Sequence, residues 1–539
     1  MQQNKNVATA ILEQLSVWGV KNIYGLLGDD IFHLMDAAAR QNSITFYHVK
    51  HEETAALMAS AQARLTGGIA VCFADGGPGT VHLMNGLADA FMDNVPVLAI
   101  TGQVSRKDIG SNEKQYLDQQ SLLRPLVTYT TLLGDPGGTA QVLENAYRSA
   151  ASGRSVAHIS VPMDLFSLPC DVSPVPPGPY MGTTPISTPQ VIQGALDLMR
   201  RARRPVILAG AGGRQAGAAV GELALRWGAA IINTLAGTGA VDKSHPFYVG
   251  GLGHAGSPAS AKILRQADLC LIVGANWWPK KNVPQQIPII QLDINPANIG
   301  ATTSVTYGLV GDAGTVLDQL SNAINTRPNE EWTGIIKSEV AAWLKQMEKE
   351  TSVQGTPVHP AALVRAIQNT VPDDAIICLD TGDNTAWFGR VFRPTRQRVL
   401  FSGKWRTMGF GLPAALAAKI NRPDTSVLAL VGDGGLAMTM ADFLTAVKYN
   451  LSLTVVVMNN GSLAMEKHKM AAGGLIPEGT SLVNPDFARY ATDCGGLGLK
   501  VDDSTELTST LEEALQSSRP TLVDVKTADV PVPGTAMPS

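Results

Sequence analysis

A strand–turn–helix–strand segment in the last third of the chain constrains the fold more than any other feature. The apolar run Val427–Val431 ends in a Gly-Asp-Gly-Gly turn, a helical pattern follows over Met438–Tyr449, and a second apolar run, Leu453–Met458, ends in Asn-Asn-Gly-Ser. The right-handed crossover of such a unit makes its strands parallel and brings their C-terminal ends side by side. Asp433 and Asn460 are therefore predicted to meet at one edge of a parallel sheet.

The two turns carry groups that suit a metal ion and a phosphate. The carboxylate of Asp433, the amide oxygen of Asn460 and nearby oxygens suit a hard divalent cation that keeps several non-protein ligands. Gly434 and Gly435 leave backbone N–H groups open to a phosphate at the start of the following helix. We predict a Mg²⁺–diphosphate site with Ser462 as a further metal ligand. The alternative is a pair of tight turns without a ligand.

Short apolar runs alternate with helical patterns along the whole chain, and they fall into three blocks. The blocks are predicted to be domains covering residues 1–173, 189–328 and 358–530, with a proline-rich linker at Pro174–Pro189. Alternation of this kind predicts an α/β fold, here three doubly wound parallel-sheet domains. The predicted strands are Asn22–Gly25, Ile69–Phe73, Val97–Thr101 and Ala157–Val161, then Pro205–Ala209, Ala230–Asn233, Leu269–Val273 and Ile289–Leu292, then Ala375–Leu379, Val399–Phe401, Val427–Val431, Leu453–Met458 and Leu522–Val525.

The composition excludes several classes of protein. Hydrophobic residues make up 45% and charged residues 16% of the 539 residues, which rules out disorder as the main state. The balance of 42 basic against 46 acidic residues gives no sign of a nucleic-acid partner. No apolar run approaches the roughly 20 residues of a membrane helix, no signal-peptide pattern is present, and the five cysteines form no CxxC pair. We expect a cytoplasmic protein without membrane insertion, and the low charge content favours self-association.

The metal and phosphate motif resembles the thiamine diphosphate motif of the 2-oxo acid decarboxylase and pyruvate oxidase superfamily. The resemblance extends over essentially the whole chain. It is closest to the flavin-containing pyruvate oxidases, with acetolactate synthases next. The further segments that carry it are Val49–Glu53, Gly76–Gly79, Ile100–Gln103, Val161–Asp164, Leu292–Ala297, Met408–Pro413, Met470–Gly474 and Asp486–Arg489.

The resemblance implies roles for residues outside the metal site. Glu52 matches the glutamate whose carboxyl group bonds the aminopyrimidine of thiamine diphosphate and activates the cofactor. Met408 matches the side chain wedged beneath the thiazolium ring, and Gln115 matches a glutamine near the substrate. Four further cofactor contacts are expected in the first and third blocks: Gly77, Gly79, Gly382 and Asp383.

The second block carries glycine-rich turns and carboxylates at the ends of its predicted strands. In the resembling oxidases this block binds FAD, and an acid such as Asp293 could bond the ribose hydroxyls. In decarboxylases of the family the block binds nothing, so a domain without FAD is the alternative. The residues expected at FAD are Gly210, Gly212, Gly213, Asp293 and Asp312.

The histidines are few, and two of them lie next to predicted site motifs in the sequence. His51, beside Glu52, is expected to shape the pocket. A proton-transfer role is considered for His468, which follows the metal motif. His82 and the more distant His254 are interpreted as hydrogen-bonded structural residues.

The resemblance implies decarboxylation of a short 2-oxo acid, with pyruvate expected, that depends on thiamine diphosphate and Mg²⁺. Decarboxylation leaves an enamine, and oxidation of this enamine by flavin is the favoured next step. The alternative is a carboligase of the acetolactate synthase type, in which FAD is absent or takes no part in electron transfer. A third hypothesis is a non-catalytic module that binds flavin or a nucleotide. Lys114 and Met465 stand where relatives often carry aromatic residues, which weighs against the oxidase. A dimer or tetramer is implied, in which the first block of one chain faces the third block of its partner.

Overall fold

Three parallel sheets form the framework of the chain. The computed structural model describes residues 5–178, 185–253, 256–279 and 282–536. In this part of the chain, eighteen strands form three six-stranded sheets, which confirms the predicted α/β class with three parallel-sheet domains. Residues 179–184 of the predicted linker, and His254, lie outside the described residues.

The first sheet and its helices come from the N-terminal block. The strands are β1 (Asn22–Gly25), β2 (Thr45–His48), β3 (Ala70–Ala74), β4 (Val97–Gln103), β5 (Tyr129–Leu132) and β6 (Val156–Pro162), and the helices are α1 (Val7–Val17), α2 (Phe32–Ala39), α3 (Glu52–Thr66), α4 (Pro78–Met92), α5 (Gln119–Leu123) and α6 (Thr139–Gly153). The strand order is β2-β1-β3-β4-β6-β5. Every residue of β3 and β4 is buried, as expected for central strands whose two faces are both covered by helices.

The second sheet comes from the middle block. Its strands are β7 (Pro205–Ala209), β8 (Ala230–Asn233), β9 (Tyr248–Gly251), β10 (Leu269–Val273), β11 (Ile289–Asp293) and β12 (Tyr307–Val310), and the helices of this region are α7 (Pro189–Met199), α8 (Gly217–Trp227), α9 (Pro258–Gln266), α10 (Ala313–Ala323) and α11 (Glu330–Thr351). The order is β12-β11-β10-β7-β8-β9. Apolar residues of α7, α8 and α10 form one core with this sheet.

The third sheet carries the turns that the sequence singles out. Its strands are β13 (Ile376–Leu379), β14 (Arg398–Phe401), β15 (Val427–Gly432), β16 (Thr454–Asn459), β17 (Leu497–Val501) and β18 (Thr521–Lys526), and the helices are α12 (Pro360–Thr370), α13 (Asp383–Val391), α14 (Gly411–Asn421), α15 (Asp433–Thr439), α16 (Phe443–Lys448), α17 (Ala464–Ala472), α18 (Phe487–Asp493) and α19 (Leu507–Gln516). The order is β14-β13-β15-β16-β18-β17. The parallel pair β15–β16 is the predicted β-α-β unit.

The helical segment between β15 and β16 begins earlier than the pattern predicts. α15 starts at Asp433 itself, and a 3₁₀ turn at Met440–Asp442 separates it from α16. An acid in the first turn of a helix is stabilised by the positive end of the helix dipole, and Asp433 Oδ1 accepts the N–H of Gly434 at 2.9 Å. The polar turn after β15 is therefore the start of the helix.

The chain divides by its internal contacts into two compact units. Of the described residues, the first unit takes in 5–178, 400–424 and 435–453, and the second takes in 185–399, 425–434 and 454–536. The domain boundaries expected at residues 173, 189, 328, 358 and 530 remain a prediction. Within the described ranges, no helix combines the length and the apolar character that crossing a membrane requires.

Candidate functional site

Asp433 connects the C-terminal ends of β15 and β16. These strands are paired in parallel, with Gly432 opposite Met458. Asp433 Oδ1 accepts the N–H of Gly434, and its Oδ2 accepts the N–H of Gly461 at 2.7 Å. The carboxylate and the turn that contains Asn460 therefore lie together, in the place that the β-α-β pattern predicts.

Asn484 belongs to this site but was not predicted from the sequence. Its Nδ2 donates to Asp433 Oδ2 at 2.8 Å and to Asn459 Oδ1 at 3.0 Å. It lies in the irregular segment before α18, so neither periodicity nor a turn motif pointed to it. Its side chain fixes the orientation of the carboxylate.

The oxygens of this group fit a hard cation. Burial raises the pKa of Asp433, and hydrogen bonds from Asn484 and from backbone N–H groups act in the opposite direction. Ser462 Oγ is buried and has no hydrogen-bond partner among the described residues. Asn460 Oδ1 accepts the N–H of Ser462 at 3.0 Å. A buried carboxylate beside an amide oxygen and an unpartnered hydroxyl suits Mg²⁺, which prefers oxygen ligands.

A cavity of about 420 Å³ opens beside these residues. Asn459, Asn460, Gly461 and Asn484 line it on the side of the turn after β16. The charged side chains that line the rest are Asp486, Lys500, Asp502, Asp524 and Lys526. A small polar molecule could therefore reach Asn460.

The turn after β13 lies at the same edge of the third sheet. Gly382 has φ +150°, and Asp383 is the first residue of α13. Asn384 Oδ1 is buried without a hydrogen-bond partner in the described part of the chain. Burial raises the pKa of Asp383 to about 7, although Trp387 Nε1 donates to its carboxylate at 2.9 Å. The predicted contacts Gly382 and Asp383 thus border a buried polar atom that has no hydrogen-bond partner among the described residues.

In the first unit, Glu52 lies beside the Gly76–Gly79 turn. Glu52 is the first residue of α3 and is only 6% exposed. Its Oε1 would lie 3.2 Å from a Cβ placed on Gly79. A side chain at residue 79 would therefore crowd the carboxylate unless Glu52 moved by a few tenths of an ångström.

Gln115 lies on the other side of the same turn. Gly77 has φ +49°, and a Cβ there would stand 2.6 Å from the carbonyl oxygen of Gln115. Gln115 is itself in the left-handed region, with φ +64°, a conformation that is uncommon for residues other than glycine. The structure therefore brings Glu52, Gly77, Gly79 and Gln115 together, while the roles assigned to them remain predictions.

His82 is a second residue whose place in the site was not predicted from the sequence. It lies on α4, and its Nδ1 is 2.9 Å from Glu52 Oε2. The ring of His51 stacks on that of His82 with centroids 4.4 Å apart. The residue expected to be merely structural thus contacts the carboxylate to which the family resemblance gives the central role.

Acidic side chains surround the Gly76–Gly79 turn. Asp75 Oδ1 accepts the N–H of Asp30 at 2.8 Å. Burial, and then the charges of Asp75 and Asp29, raise the pKa of Asp30 to about 6. Burial also raises the pKa of Asp75. Negative charge is thus disfavoured around the turn.

The loop that carries Met408 is attached to α4. Asp93 accepts the N–H groups of Gly403 and Lys404 at 2.9 and 2.8 Å. Asn85 Nδ2 donates to Thr407 Oγ1 at 2.9 Å. A residue of α4 and the residue that follows this helix therefore fix the position of the loop.

Backbone packing requires two of the three glycines predicted to bind FAD. A Cβ at Gly210 would lie 2.3 Å from the carbonyl oxygen of Gly274, and one at Gly212 would lie 2.9 Å from Gly274 Cα. At Gly213 the contact is looser, because a Cβ there would lie 3.3 Å from the Val273 carbonyl oxygen. Close contact between two strand ends accounts for Gly210 and Gly212 without a ligand.

The two acids predicted at FAD also have contacts within their own domain. Asp293 Oδ1 accepts the N–H of Asn295 at 2.9 Å and the side-chain amide of Asn298 at 3.0 Å. Asp312 caps α10 by accepting the N–H of Thr315 at 2.9 Å. An FAD site here remains a prediction.

The helix after the turn that contains Asn460, α17, carries Met465 and His468. Asp529 lies against this helix, with its Oδ2 at 2.5 Å from Lys467 Nζ and its Oδ1 at 2.9 Å from His468 Nε2. His468 is thus held beside an acid, and a proton-transfer role for it stays a hypothesis.

Comparison with known proteins gives a match within each of the three sheet regions. Residues 5–122 match the N-terminal TPP binding domain of thiamine pyrophosphate enzymes, residues 192–320 match the central domain, and residues 380–525 match the C-terminal TPP binding domain. These ranges contain Glu52, the glycine-rich turns of the second sheet and Asp433, respectively.

Three relatives are similar over nearly their whole lengths. The Bacillus subtilis (strain 168) protein YdaP, whose name describes it as thiamine pyrophosphate-containing, is 35% identical over 98% of this chain and 93% of its own. Pyruvate oxidase of Lactiplantibacillus plantarum is 30% identical over 99% and 90% of the two chains. The large subunit of acetolactate synthase isozyme 1 of Escherichia coli (strain K12) is 30% identical over 96% and 93%. The chain therefore belongs to the family of thiamine diphosphate-dependent enzymes that includes pyruvate oxidases and acetolactate synthases.

Proposed function

We propose that this enzyme uses thiamine diphosphate and Mg²⁺ to decarboxylate a short 2-oxo acid, with pyruvate as the expected substrate. The observation that carries the proposal is the carboxylate of Asp433, buried between the ends of two parallel strands and bonded to Gly461. The names of two relatives, pyruvate oxidase and acetolactate synthase, support the substrate class.

In this proposal the turns after β15 and β16 hold the metal and the diphosphate. Asp433, Asn460 and Ser462 would bind Mg²⁺ through a carboxylate, an amide oxygen and a hydroxyl. Gly434 and Gly435 form the first turn of α15, where backbone N–H groups and the helix dipole favour a phosphate. Asn484 keeps the carboxylate of Asp433 oriented.

The first unit would supply the catalytic carboxyl group. When bound, thiamine diphosphate serves as the electron sink that makes loss of CO₂ from a 2-oxo acid possible. Glu52 would hold a proton at the aminopyrimidine, with its Oε1 beside Gly79. Gln115, exposed at the other side of the turn, would contact the substrate.

Two fates are open to the product of decarboxylation, and we propose oxidation as the first. The resemblance to pyruvate oxidases favours it, and carboligation of the acetolactate synthase type is the alternative. The relatives with these two names are equally similar, at 30% identity. FAD would be the electron acceptor of that oxidation, although the residues predicted to bind it already have contacts within their own domain.

The primary experiment measures CO₂ released from pyruvate and from longer 2-oxo acids. We expect release that requires both thiamine diphosphate and Mg²⁺ and that is lost in Asp433→Ala. No release from any 2-oxo acid by the loaded enzyme would contradict the proposal.

A second experiment distinguishes the two fates. The enzyme is incubated with FAD and mixed with pyruvate without oxygen. Bleaching of the flavin absorbance supports the oxidase, and acetolactate formed without bleaching supports the carboligase.

A further inference from the structure

Helices α3 and α4 run side by side and contact each other once per turn. Because the contacts advance in the same direction along both helices, the helices are parallel. We call these contacts the α3–α4 ladder. Its rungs are Glu52–His82, Glu53–Asn85, Ala56–Gly86, Ser60–Asp89 and Arg64–Asp93.

The ladder fixes the position of His82 relative to Glu52. At the far end, Arg64 joins Asp89 and Asp93 through hydrogen bonds of 2.7 Å. In the middle, Gly86 lets the two helices approach closely at Ala56. His82 and Glu52 lie one turn before Gly86 and Ala56, so the helix contact holds them opposite each other.

The ring of His82 is also held from its other side. His51 precedes α3, and its Nδ1 accepts the N–H of Glu53 at 3.3 Å. Its ring stacks on that of His82 with an angle of 30° between the planes. The stacking restricts rotation of His82, so that Nδ1 stays directed at the carboxylate.

The two oxygens of Glu52 therefore have different surroundings. Oε2 lies 2.9 Å from His82 Nδ1. An ionised Oε2 can only accept a hydrogen bond, so in this contact Nδ1 would carry the ring proton. Oε1 faces the Gly76–Gly79 turn. A hydrogen bond to a charged acceptor is short and directional, and it decides which oxygen remains available.

We propose that His82 is a positioning residue for Glu52: its Nδ1–H holds Oε2, so that Oε1 is presented to the aminopyrimidine of the cofactor. The inference rests on the proposed function of Glu52. It assigns to His82 no proton transfer of its own. Without the donor, the carboxyl group can rotate. Oε1 then faces the aminopyrimidine for only part of the time.

Three variants separate the donor from the rest of the side chain. In His82→Asn the amide nitrogen stands close to the position of Nδ1, whereas in His82→Gln it reaches the position of Nε2. His82→Leu has no donor. Because all three lose the stacking on His51, only the placement of the donor distinguishes His82→Asn from the other two.

The main measurement is the exchange of the C2 proton of bound thiamine diphosphate for deuterium, without substrate. Loss of one charge-assisted hydrogen bond should slow exchange about ten-fold in His82→Leu and His82→Gln, with His82→Asn within about three-fold of the wild type. Calorimetric affinity for the cofactor should change little in any variant. A merely structural role would lower affinity and unfolding midpoint in all three alike.

A second measurement uses the protein without cofactor. Nitrogen chemical shifts of labelled histidine side chains report which ring nitrogen carries the proton. Among nine histidines, the signal lost in His82→Asn identifies His82. We expect the Nδ1–H tautomer in the wild type and a change to Nε2–H in Glu52→Leu.

Three results would overturn the positioning role: unchanged exchange in His82→Leu, exchange in His82→Asn as slow as in His82→Leu, or an Nε2–H tautomer in the wild type. Failure of the proposed function would give a different experimental result. In that case the wild type itself would neither bind thiamine diphosphate nor exchange its C2 proton.

Discussion

Gly86 of α4 lies so close to Ala56 of α3 that a Cβ at residue 86 would stand 2.4 Å from the Ala56 Cβ and 2.6 Å from the backbone nitrogen of Leu57. No flexible side-chain end can move aside here, because the obstacles are a helix backbone and its first side-chain atom. The closeness of these helices keeps His82 against Glu52.

Gly86→Ala should therefore separate the two helices. Overpacking of a well-filled contact costs about 1–3 kcal/mol, and we expect the free energy of unfolding to fall by that amount in chemical denaturation. Activity should fall further than stability explains, because the contact between His82 and Glu52 lengthens. Gly153→Ala, at the end of α6 with no atom within 4 Å of its Cβ, is the control and should be nearly neutral. Equal effects of the two substitutions would contradict this account.

Glu52→Gln should abolish most of the turnover while cofactor binding remains measurable. The amide cannot hold and release a proton as the carboxyl group does, and loss of acid–base catalysis costs about 100-fold or more. The neighbouring Glu53→Gln is a matched control, since Glu53 Oε1 accepts the amide of Asn85 and glutamine can still accept there. Steady-state rates and calorimetric affinity are compared for both. A Glu52→Gln enzyme with near-normal turnover would refute the role of Glu52.

Most of the fold could be predicted from the sequence, and the strands that were missed share one property. All twelve central strands coincide with predicted apolar runs. The missed strands β2, β5, β9, β12 and β17 are all at sheet edges. Four of them are largely half-exposed, so they lack the continuous apolar sequence of a strand covered on both faces.

The candidate site also contains residues that could be predicted from the sequence and residues that could not. The turn carrying Asp433 and Asn460 could be predicted, because parallel strands place their C-terminal ends together. Asn484 and His82 could not, because their contacts depend on how a loop and two helices pack, which leaves no local pattern. The glycines of the second sheet fitted a ligand motif, but close packing on Gly274 explains two of them equally well.

Asp433→Ala should weaken binding of Mg²⁺ and of thiamine diphosphate together, since it removes the charged ligand. Asn484→Ala should act in the same direction but less strongly, by about ten-fold, as expected for a residue that orients a ligand. Titration of the cofactor at several Mg²⁺ concentrations measures both effects. The exposed Asp424, shortly before β15, provides a control in Asp424→Ala. Unchanged affinity in Asp433→Ala would remove this residue from the site.

Asp383→Asn should stabilise the protein without cofactor at high pH. The pKa of Asp383 rises from 3.8 to about 7 on folding, chiefly through burial. Between these values the folded state binds more protons than the unfolded state, so stability falls as the pH rises through this window. We expect an advantage of about 1–3 kcal/mol for the variant at pH 8, and a smaller one at pH 5. Denaturant unfolding at both values is the measurement, and an advantage independent of pH would contradict the prediction.

The last prediction concerns the assembly that makes the enzyme active. The family resemblance implies that the first block of one chain serves the third block of its partner, so that two chains complete two sites. A mixture of inactive Glu52→Gln and inactive Asp433→Ala should then regain activity after subunit exchange. A mixed dimer has one intact site and one doubly damaged site. With random exchange in a C2 dimer, about a quarter of the sites are intact. Mixing Glu52→Gln with Glu52→Ala is the control, which should stay inactive. If each chain completed its own site, neither mixture would recover, and a fully active monomer in sedimentation would exclude the shared arrangement.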